Sequence, residues 1–294
     1  SAVKTIIMLD KFIPKKILYF LDLIRFNKPI GFLLLMWPCW FGLAYSQKHY
    51  YDLIYLYFLF FLGSFLMRSA GCIINDLIDI KIDSQIKRTL NRPLTSKKIS
   101  ILSALIFLFV LLMLSFIILI QFSILTIIIG LLSVPIIILY PFMKRITYWP
   151  QLVLGLVFSW GVLITSTELF GKIKLDYCLL YLACIFWTLS YDTIYAYQDR
   201  QDDINNNVKS TAVLLGKKGK LFVRFSYFCM LSLISYLSWK SSENLVSLGV
   251  IIAILIGINI LINKWKPDSA QSSNYYFRQN NFLGGIIFLY LLFF

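Results

Sequence analysis

The chain has 294 residues, 59% of them apolar and 17% aromatic, with only 14% charged and a mean hydropathy of +0.77. A composition this apolar excludes a soluble globular domain and a disordered chain, and it points to a polytopic membrane protein. The five cysteines (Cys39, Cys72, Cys178, Cys184, Cys229) lie in apolar segments without CxxC spacing, and His49 is the single histidine, so zinc centres, disulfide frameworks and histidine-based catalysis are set aside.

In chain order, Asp10, Lys11 and Pro14 interrupt any apolar run near the start, so no signal peptide is read there. Residues 11–27 are expected to form an interfacial amphipathic helix, with Phe12, Leu18, Tyr19, Leu23 and Phe26 alternating with Lys15, Lys16, Asp22 and Arg25. Apolar runs with polar breaks then predict about nine spans, near 30–46, 53–75, 99–120, 122–142, 149–168, 175–196, 221–239, 245–263 and 279–294. The expected fold is all-α, a single integral-membrane domain over 1–294.

The formal charge of +14 is distributed by side. With the N-terminus cytoplasmic, 22 of the 28 Lys and Arg fall in cytoplasmic segments and four (Lys48, Lys172, Lys174, Lys240) in the opposite loops. This is the bias of a topology signal, and nucleic acid becomes an unnecessary partner. Membrane lipid is the expected surrounding.

Seven of the 14 carboxylates gather in two clusters at span ends, Asp76/Asp79/Asp83 and Asp192/Asp199/Asp202/Asp203. Acids are expensive near a bilayer, and hard carboxylate oxygens without His or Cys suit Mg²⁺ shared with a phosphate-bearing substrate. A lipid diphosphate is therefore the substrate class expected. In the first cluster, NDLIDIKID (75–83), Asn75, Asp79 and Asp83 are spaced by four and share a broad helical face with Asp76. Arg68 extends that face two turns deeper, and Lys87, Arg88 and Arg92 follow it. In the second, YDTIYAYQDRQDD (191–203), Asp192, Tyr195, Asp199 and Asp203 are expected on one helical side, with Arg200 and Lys209 close by. One acidic run is ordinarily a solvated span end; two on the same side, each in register, point to chemistry.

Taken together, RFNKPIGFLLLMWP (25–38), MRSAGCIINDLIDIKID (67–83), KRTLNRPL (87–94), YPFMKR (140–145), YDTIYAYQDRQDD, KST (209–211) and NNFLG (280–284) resemble the UbiA-type membrane prenyltransferases. RFNKPIG and YPFMKR resemble most the branch that prenylates 4-hydroxybenzoate in ubiquinone biosynthesis. The resemblance implies nine transmembrane helices around a central cavity that opens laterally to lipid, with cytoplasmic cap loops. It implies Mg²⁺-dependent transfer of a polyprenyl group from a polyprenyl diphosphate to the ring carbon ortho to the hydroxyl of 4-hydroxybenzoate. The location implied is a bacterial inner membrane, or a mitochondrial one, with the acidic motifs facing cytoplasm or matrix.

By the same resemblance Asn75, Asp79, Asp199 and Asp203 form the Mg²⁺ and diphosphate set, supported by Asp76, Asp83 and Asp202. Arg68, Lys87 and Lys209 resemble diphosphate contacts, joined in the substrate-binding set by Lys28, Arg88 and Tyr195. Tyr140 and Lys144 match a Tyr-x-x-x-Lys element acting near the allylic carbon. Tyr140, Tyr191, Tyr195 and Tyr197 are candidates for shielding an allylic cation, with plain packing as the alternative. Asp192 is the candidate base or phenol-orienting group, its alternative being a partner for a neighbouring cation. Arg145 is expected to grip the acceptor carboxylate, or else to anchor topology. Two rivals remain: another acceptor within the family, and a transporter, which would spread acids along midplane helices.

Overall fold

A computed structural model describes residues 14–46, 50–85 and 89–294, and every regular element among them is helical. Lys87, Arg88 and His49 lie outside the described residues, as does the start of the expected amphipathic segment. The described part opens with α1 (Lys15–Leu23), a nine-residue helix that starts with two lysines and continues in Ile, Leu, Tyr and Phe, with Leu23 fully buried.

The helices that follow are α2 (Ile30–Tyr45), α3 (Tyr50–Asp83), α4 (Ile101–Leu119), α5 (Ile124–Leu132), α6 (Val134–Ile146), α7 (Pro150–Ser159), α8 (Gly161–Phe170) and α9 (Leu175–Ala196). Two short helices, α10 (Arg200–Asn205) and α11 (Thr211–Leu215), lead through a 3₁₀ turn at Gly216–Lys218 into α12 (Gly219–Ser242). The chain closes with α13 (Leu245–Lys264) and α14 (Ala270–Phe293).

Among the described residues, seven segments are long and apolar enough to cross a membrane. The expected count of about nine differs at the two ends of the chain for physical reasons. Helix α2 has 16 residues, about 24 Å at 1.5 Å per residue, short of a ~30 Å hydrocarbon core. Helix α14 has 24 residues but begins AQSSNYYFRQNN, too polar to count as a free-standing span. Two expected spans are broken rods. Helices α5 and α6 meet at Ser133, where Pro135 starts a new helix, and α7 and α8 meet at Trp160. The α7–α8 break is tied to its neighbour by Trp160 Nε1, which donates to the Ile129 carbonyl at 2.9 Å.

Helix α9 is the axis of the bundle, packed on α7 and α12 and burying Trp187, Tyr191 and Tyr177. Helix α4 is the opposite case: it is apolar on all sides and buries only Ala104, Leu111 and Ser115, as expected of a lipid-facing rod. The NNFLG segment is explained by packing. Asn280 Oδ1 accepts from Trp187 Nε1 (2.9 Å) and Tyr227 Oη (2.7 Å), joining α9, α12 and α14 in one buried polar knot. Asn281 Oδ1 accepts from Trp37 Nε1 at 3.0 Å. A Cβ at Gly284 would stand 2.5 Å from the Trp37 ring, so only glycine lets α2 and α14 close there.

Candidate active site

Helix α3 runs for 34 residues, about 51 Å, longer than the hydrocarbon is thick. Its last turns can therefore carry acids beyond the apolar layer. Asn75, Asp76, Asp79 and Asp83 all line one cavity of about 530 Å³, as the fourfold spacing implied. The second motif reaches the same cavity by a different route. A single helical register from Asp192 to Asp203 was expected, but α9 ends at Ala196, and Asp199 precedes α10 with φ −107° and ψ 5°. Asp192, Tyr195, Asp199 and Asp203 still line the cavity, two from α9 and two after the turn.

The acids of α3 are held by cations from distant parts of the chain. Asp76 is buried and takes a two-pronged contact from Arg25, at 2.7 and 2.9 Å. Arg92 Nη1 lies 3.0 Å from Asp76 and 2.6 Å from Asp83, bridging the two carboxylates. Burial works against the Arg25 charge, yet Asp76 beside it raises that guanidinium above its ordinary value. Burial also pushes the Asp83 carboxyl up, and Arg92 only partly offsets it. Arg25 sits at φ 60°, a left-handed conformation, just after α1; its Nη1 also donates to the Asp22 and Leu23 carbonyls at 3.1 Å. This network ties the end of α1 to the acidic end of α3. In the sequence Arg25 belongs only to an amphipathic face and a motif, because no local spacing relates position 25 to 76.

Asp79 is buried between cations on one side and the cavity on the other. Its Oδ2 accepts from Lys144 Nζ, and its Oδ1 accepts no hydrogen bond, with Arg145 Nη2 at 3.5 Å. Tyr140 and Lys144, one turn apart on α6, both line the cavity. The segment 208–211 is fastened on several sides. Lys209 N donates to the Lys144 carbonyl (2.9 Å), Lys209 Nζ to the Ile146 carbonyl (3.0 Å) and Ser210 Oγ to Asp203 (3.1 Å). Thr211 N donates to Gln151 Oε1 at 3.2 Å, and its hydroxyl meets that of Thr193 at 2.9 Å. Gln151, Ser210 and Arg92 line the cavity as well. Gln151 carried no signal in the sequence, since a lone glutamine at a span start has no motif.

Not every candidate reaches the cavity. Asp202 does not line it, because adjacent residues on α10 are about 100° apart and Asp203 takes the inward position. Lys28 is exposed after α1 and lies outside the lining. Arg145 is exposed, donates to the Ile78 carbonyl at 3.2 Å and does not line the cavity. Tyr191 and Tyr197 are buried in packing instead, against Trp187 and Trp265. Arg68 does line it; its Nε is buried without a hydrogen bond, and its guanidinium lies 5.5 Å from the Phe158 ring centre.

Deeper in, the cavity becomes apolar. Its walls there include Leu59, Phe60, Leu119, Phe122, Leu131 and Ile164, with Phe60 and Phe122 in ring contact at 5.2 Å. A Cβ at Gly161 would lie 2.2 Å from Cys39 Sγ, so this glycine sets how closely α8 approaches α2. Leu112 and Phe116 on α4, with Leu131 and Val134 on the α5–α6 rod, line the cavity and are exposed outward. Although α4 and α5 are consecutive, α4 packs on α3 while α5 packs on α8, and side chains of both line the cavity.

Oxygen donors from Asn75, Asp79, Asp199 and Asp203 face one cavity, and the unbonded Oδ1 of Asp79 is a donor left over after Lys144 is satisfied. Among the described residues no three acidic, His or Cys side chains converge tightly enough to hold an ion unaided. Mg²⁺ prefers hard oxygen donors of this kind, using one or two carboxylates and completing its shell with water and substrate phosphates. The donor set therefore fits the ion.

An ionic chamber opening into an apolar one within a helical bundle defines an integral membrane protein that handles an amphipathic substrate. The sequence matches the UbiA prenyltransferase family over residues 35–283, and the chain belongs to that family. It is 38% identical to the 4-hydroxybenzoate octaprenyltransferase of Blochmanniella pennsylvanica, over 95% of this chain and 96% of that protein. It is 40% identical to that of Aliivibrio salmonicida, over 92% and 94%. The mitochondrial 4-hydroxybenzoate polyprenyltransferase of Drosophila melanogaster is also 40% identical, over 91% of this chain and 69% of that protein. Among solved structures, a UbiA homologue from Archaeoglobus fulgidus bound to GPP and Mg²⁺ shares the fold at TM-score 0.66 and 16% identity, over 94% of this chain and all of that one.

Proposed function

We propose that this protein transfers a polyprenyl group from a polyprenyl diphosphate to the carbon ortho to the hydroxyl of 4-hydroxybenzoate, releasing diphosphate, as a step of ubiquinone biosynthesis. The observation that carries the reading is the single cavity in which an acid- and cation-lined chamber continues into an apolar one. Relatives that cover nearly the whole chain and are named for this reaction support it.

The diphosphate is placed between the α3 acids and the Asp199/Asp203 pair, with Lys144 and Lys209 beside it. Mg²⁺ held there would neutralise the leaving group as the allylic C–O bond breaks and its electron pair leaves with the diphosphate. The ring carbon then bonds to the allylic carbon, and the displaced ring proton passes to a base. Asp192 is positioned for that task, since it lines the cavity one to two turns deeper than the metal-site acids and forms no ion pair among the described residues. Tyr140 and Tyr195 also line the cavity and present aromatic surface that shields an allylic cation from water.

For the acceptor carboxylate the better-placed cation is Arg68 rather than Arg145, because Arg68 faces the cavity with Nε unbonded and Arg145 does not line it. The far end of a long polyprenyl chain leaves toward lipid between α4 and the α5–α6 rod, where Leu112, Phe116, Leu131 and Val134 both line the cavity and are exposed. The cation bias supports a cytoplasmic or matrix orientation of the acidic motifs in an inner membrane, with α1 lying along the headgroups.

The test is incubation of purified protein in lipid with a polyprenyl diphosphate, 4-hydroxybenzoate and Mg²⁺, with product followed by mass spectrometry. Prenylated acid that disappears with EDTA is the expected outcome; turnover only with an acceptor lacking the carboxylate would reassign the acceptor.

A further inference from the structure

A second group of cations lies away from the cavity, where α12 begins and α13 ends. Lys217 and Lys218 in the 3₁₀ turn, Lys220 and Arg224 on α12, and Lys264 and Lys266 at the end of α13 come from two separate helix ends. Lys220, Lys264 and Lys266 line one open pocket with Asn263, Trp265, Pro267, Asp268 and Ser269. Among the described residues none of the six cations makes an ion pair, although Asp268 is beside them. The two that are bonded use neutral acceptors: Lys220 Nζ donates to the Asn263 carbonyl at 3.1 Å, and Arg224 Nη2 donates to Asn263 Oδ1.

The floor of the pocket is rigid. Trp265 is fully buried, its Nε1 donates to Ser273 at 3.0 Å, and its ring stands edge-on to Tyr197 at 5.2 Å. Within four residues of Lys220, Arg224 or Lys264 along the two helices, Leu221, Phe225 and Phe228 of α12 and Ile260 and Leu261 of α13 are exposed apolar side chains. Topology bias requires lysines near span ends, but it does not require two helix ends to bring Lys220, Lys264 and Lys266 to one pocket around Asn263, against the single acid Asp268.

We propose that this pocket binds the phosphate of an anionic phospholipid, with the acyl chains on the exposed apolar surface of α12 and α13. Lysine clusters at this depth attract anionic headgroups by charge, and a pocket built from two helix ends fixes one lipid instead of a diffuse layer. The partner is a membrane lipid because exposed apolar side chains follow the cations along both helices; a free phosphate would use the lysines alone.

The proposal is tested by native mass spectrometry of delipidated protein in a neutral detergent, titrated with phosphatidylglycerol or phosphatidylcholine of identical acyl chains. One phosphatidylglycerol should bind at least tenfold more tightly than phosphatidylcholine. The preference should vanish in K220Q/K264Q/K266Q and persist in K172Q/K174Q, which removes lysines from the opposite face. Equal thermal midpoints of both variants in lipid-free detergent separate loss of binding from loss of fold. Equal affinity for the two lipids, or a preference that survives the triple substitution, would overturn the site. Displacement of the lipid by an equal concentration of glycerol phosphate would overturn the lipid as its occupant.

Discussion

The two ends of the cavity are built on different principles. At the ionic end, side chains from α1, α3, the loop before α4, α6, α9, α10 and the segment before α11 meet through specific pairs, such as Arg25 with Asp76 and Lys144 with Asp79. At the apolar end the walls are Leu, Ile and Phe side chains held by shape alone, apart from close approaches such as Gly161 on Cys39. A charge pair taken out of water works only when both partners stay in place, whereas an apolar wall tolerates exchange of similar volumes. Substitutions should therefore be severe at the ionic end and graded at the apolar end.

The largest effect is expected for Asp79→Asn, which removes a cavity-lining carboxylate whose Oδ1 accepts no hydrogen bond and leaves Lys144 without its partner. Turnover should fall on the order of 1,000-fold, about 4 kcal/mol of transition-state stabilisation, while the purified protein stays monodisperse in detergent. Activity within tenfold of the parent would remove Asp79 from the metal and diphosphate set.

Arg92→Ala comes next. It withdraws the shared cation from Asp76 and Asp83, both nearly inaccessible, and should destabilise the fold by about 3 kcal/mol. A large drop in the detergent thermal midpoint would report this. Partial recovery in Arg92→Ala/Asp83→Asn would assign the loss to the stranded carboxylate.

Arg68→Gln sharpens the division of roles within the ionic end. The KM for 4-hydroxybenzoate should rise at least tenfold, about 1.4 kcal/mol, with the KM for the diphosphate changing less than twofold. The reverse pattern would return Arg68 to the diphosphate.

The smallest effect is expected at the apolar end. Leu131→Trp enlarges a side chain that lines the apolar end of the cavity and faces outward, and the ratio of kcat/KM for an octaprenyl over a geranyl donor should fall several-fold. Ile128→Trp, at an exposed position outside the lining, is the control. An unchanged ratio in Leu131→Trp would place the chain elsewhere.

Much of this arrangement was legible before folding because it is periodic. The fourfold spacing of Asn75, Asp79 and Asp83 puts them on one helix face whatever that helix touches, and all three line the cavity. Tyr140 and Lys144 follow the same logic on α6. Where backbone geometry breaks the period, the reading shifts: α9 stops at Ala196, so Asp199 and Asp203 arrive by a turn and Asp202 is rotated out of the cavity.

The amino-acid sequence by itself determined a polytopic helical membrane protein, the position of its two acidic motifs and the side bias of its cations. These properties depend on composition and short-range spacing, which a helix converts directly into faces and span ends. Only the tertiary structure decided that Arg25 and Arg92 hold Asp76 and Asp83, that Arg68 and not Arg145 reaches the cavity, and that Asn280 knots α9, α12 and α14 together. Those contacts join residues up to 93 positions apart. No local period encodes such pairings; they exist only once the helices have packed and each buried polar group has found its partner.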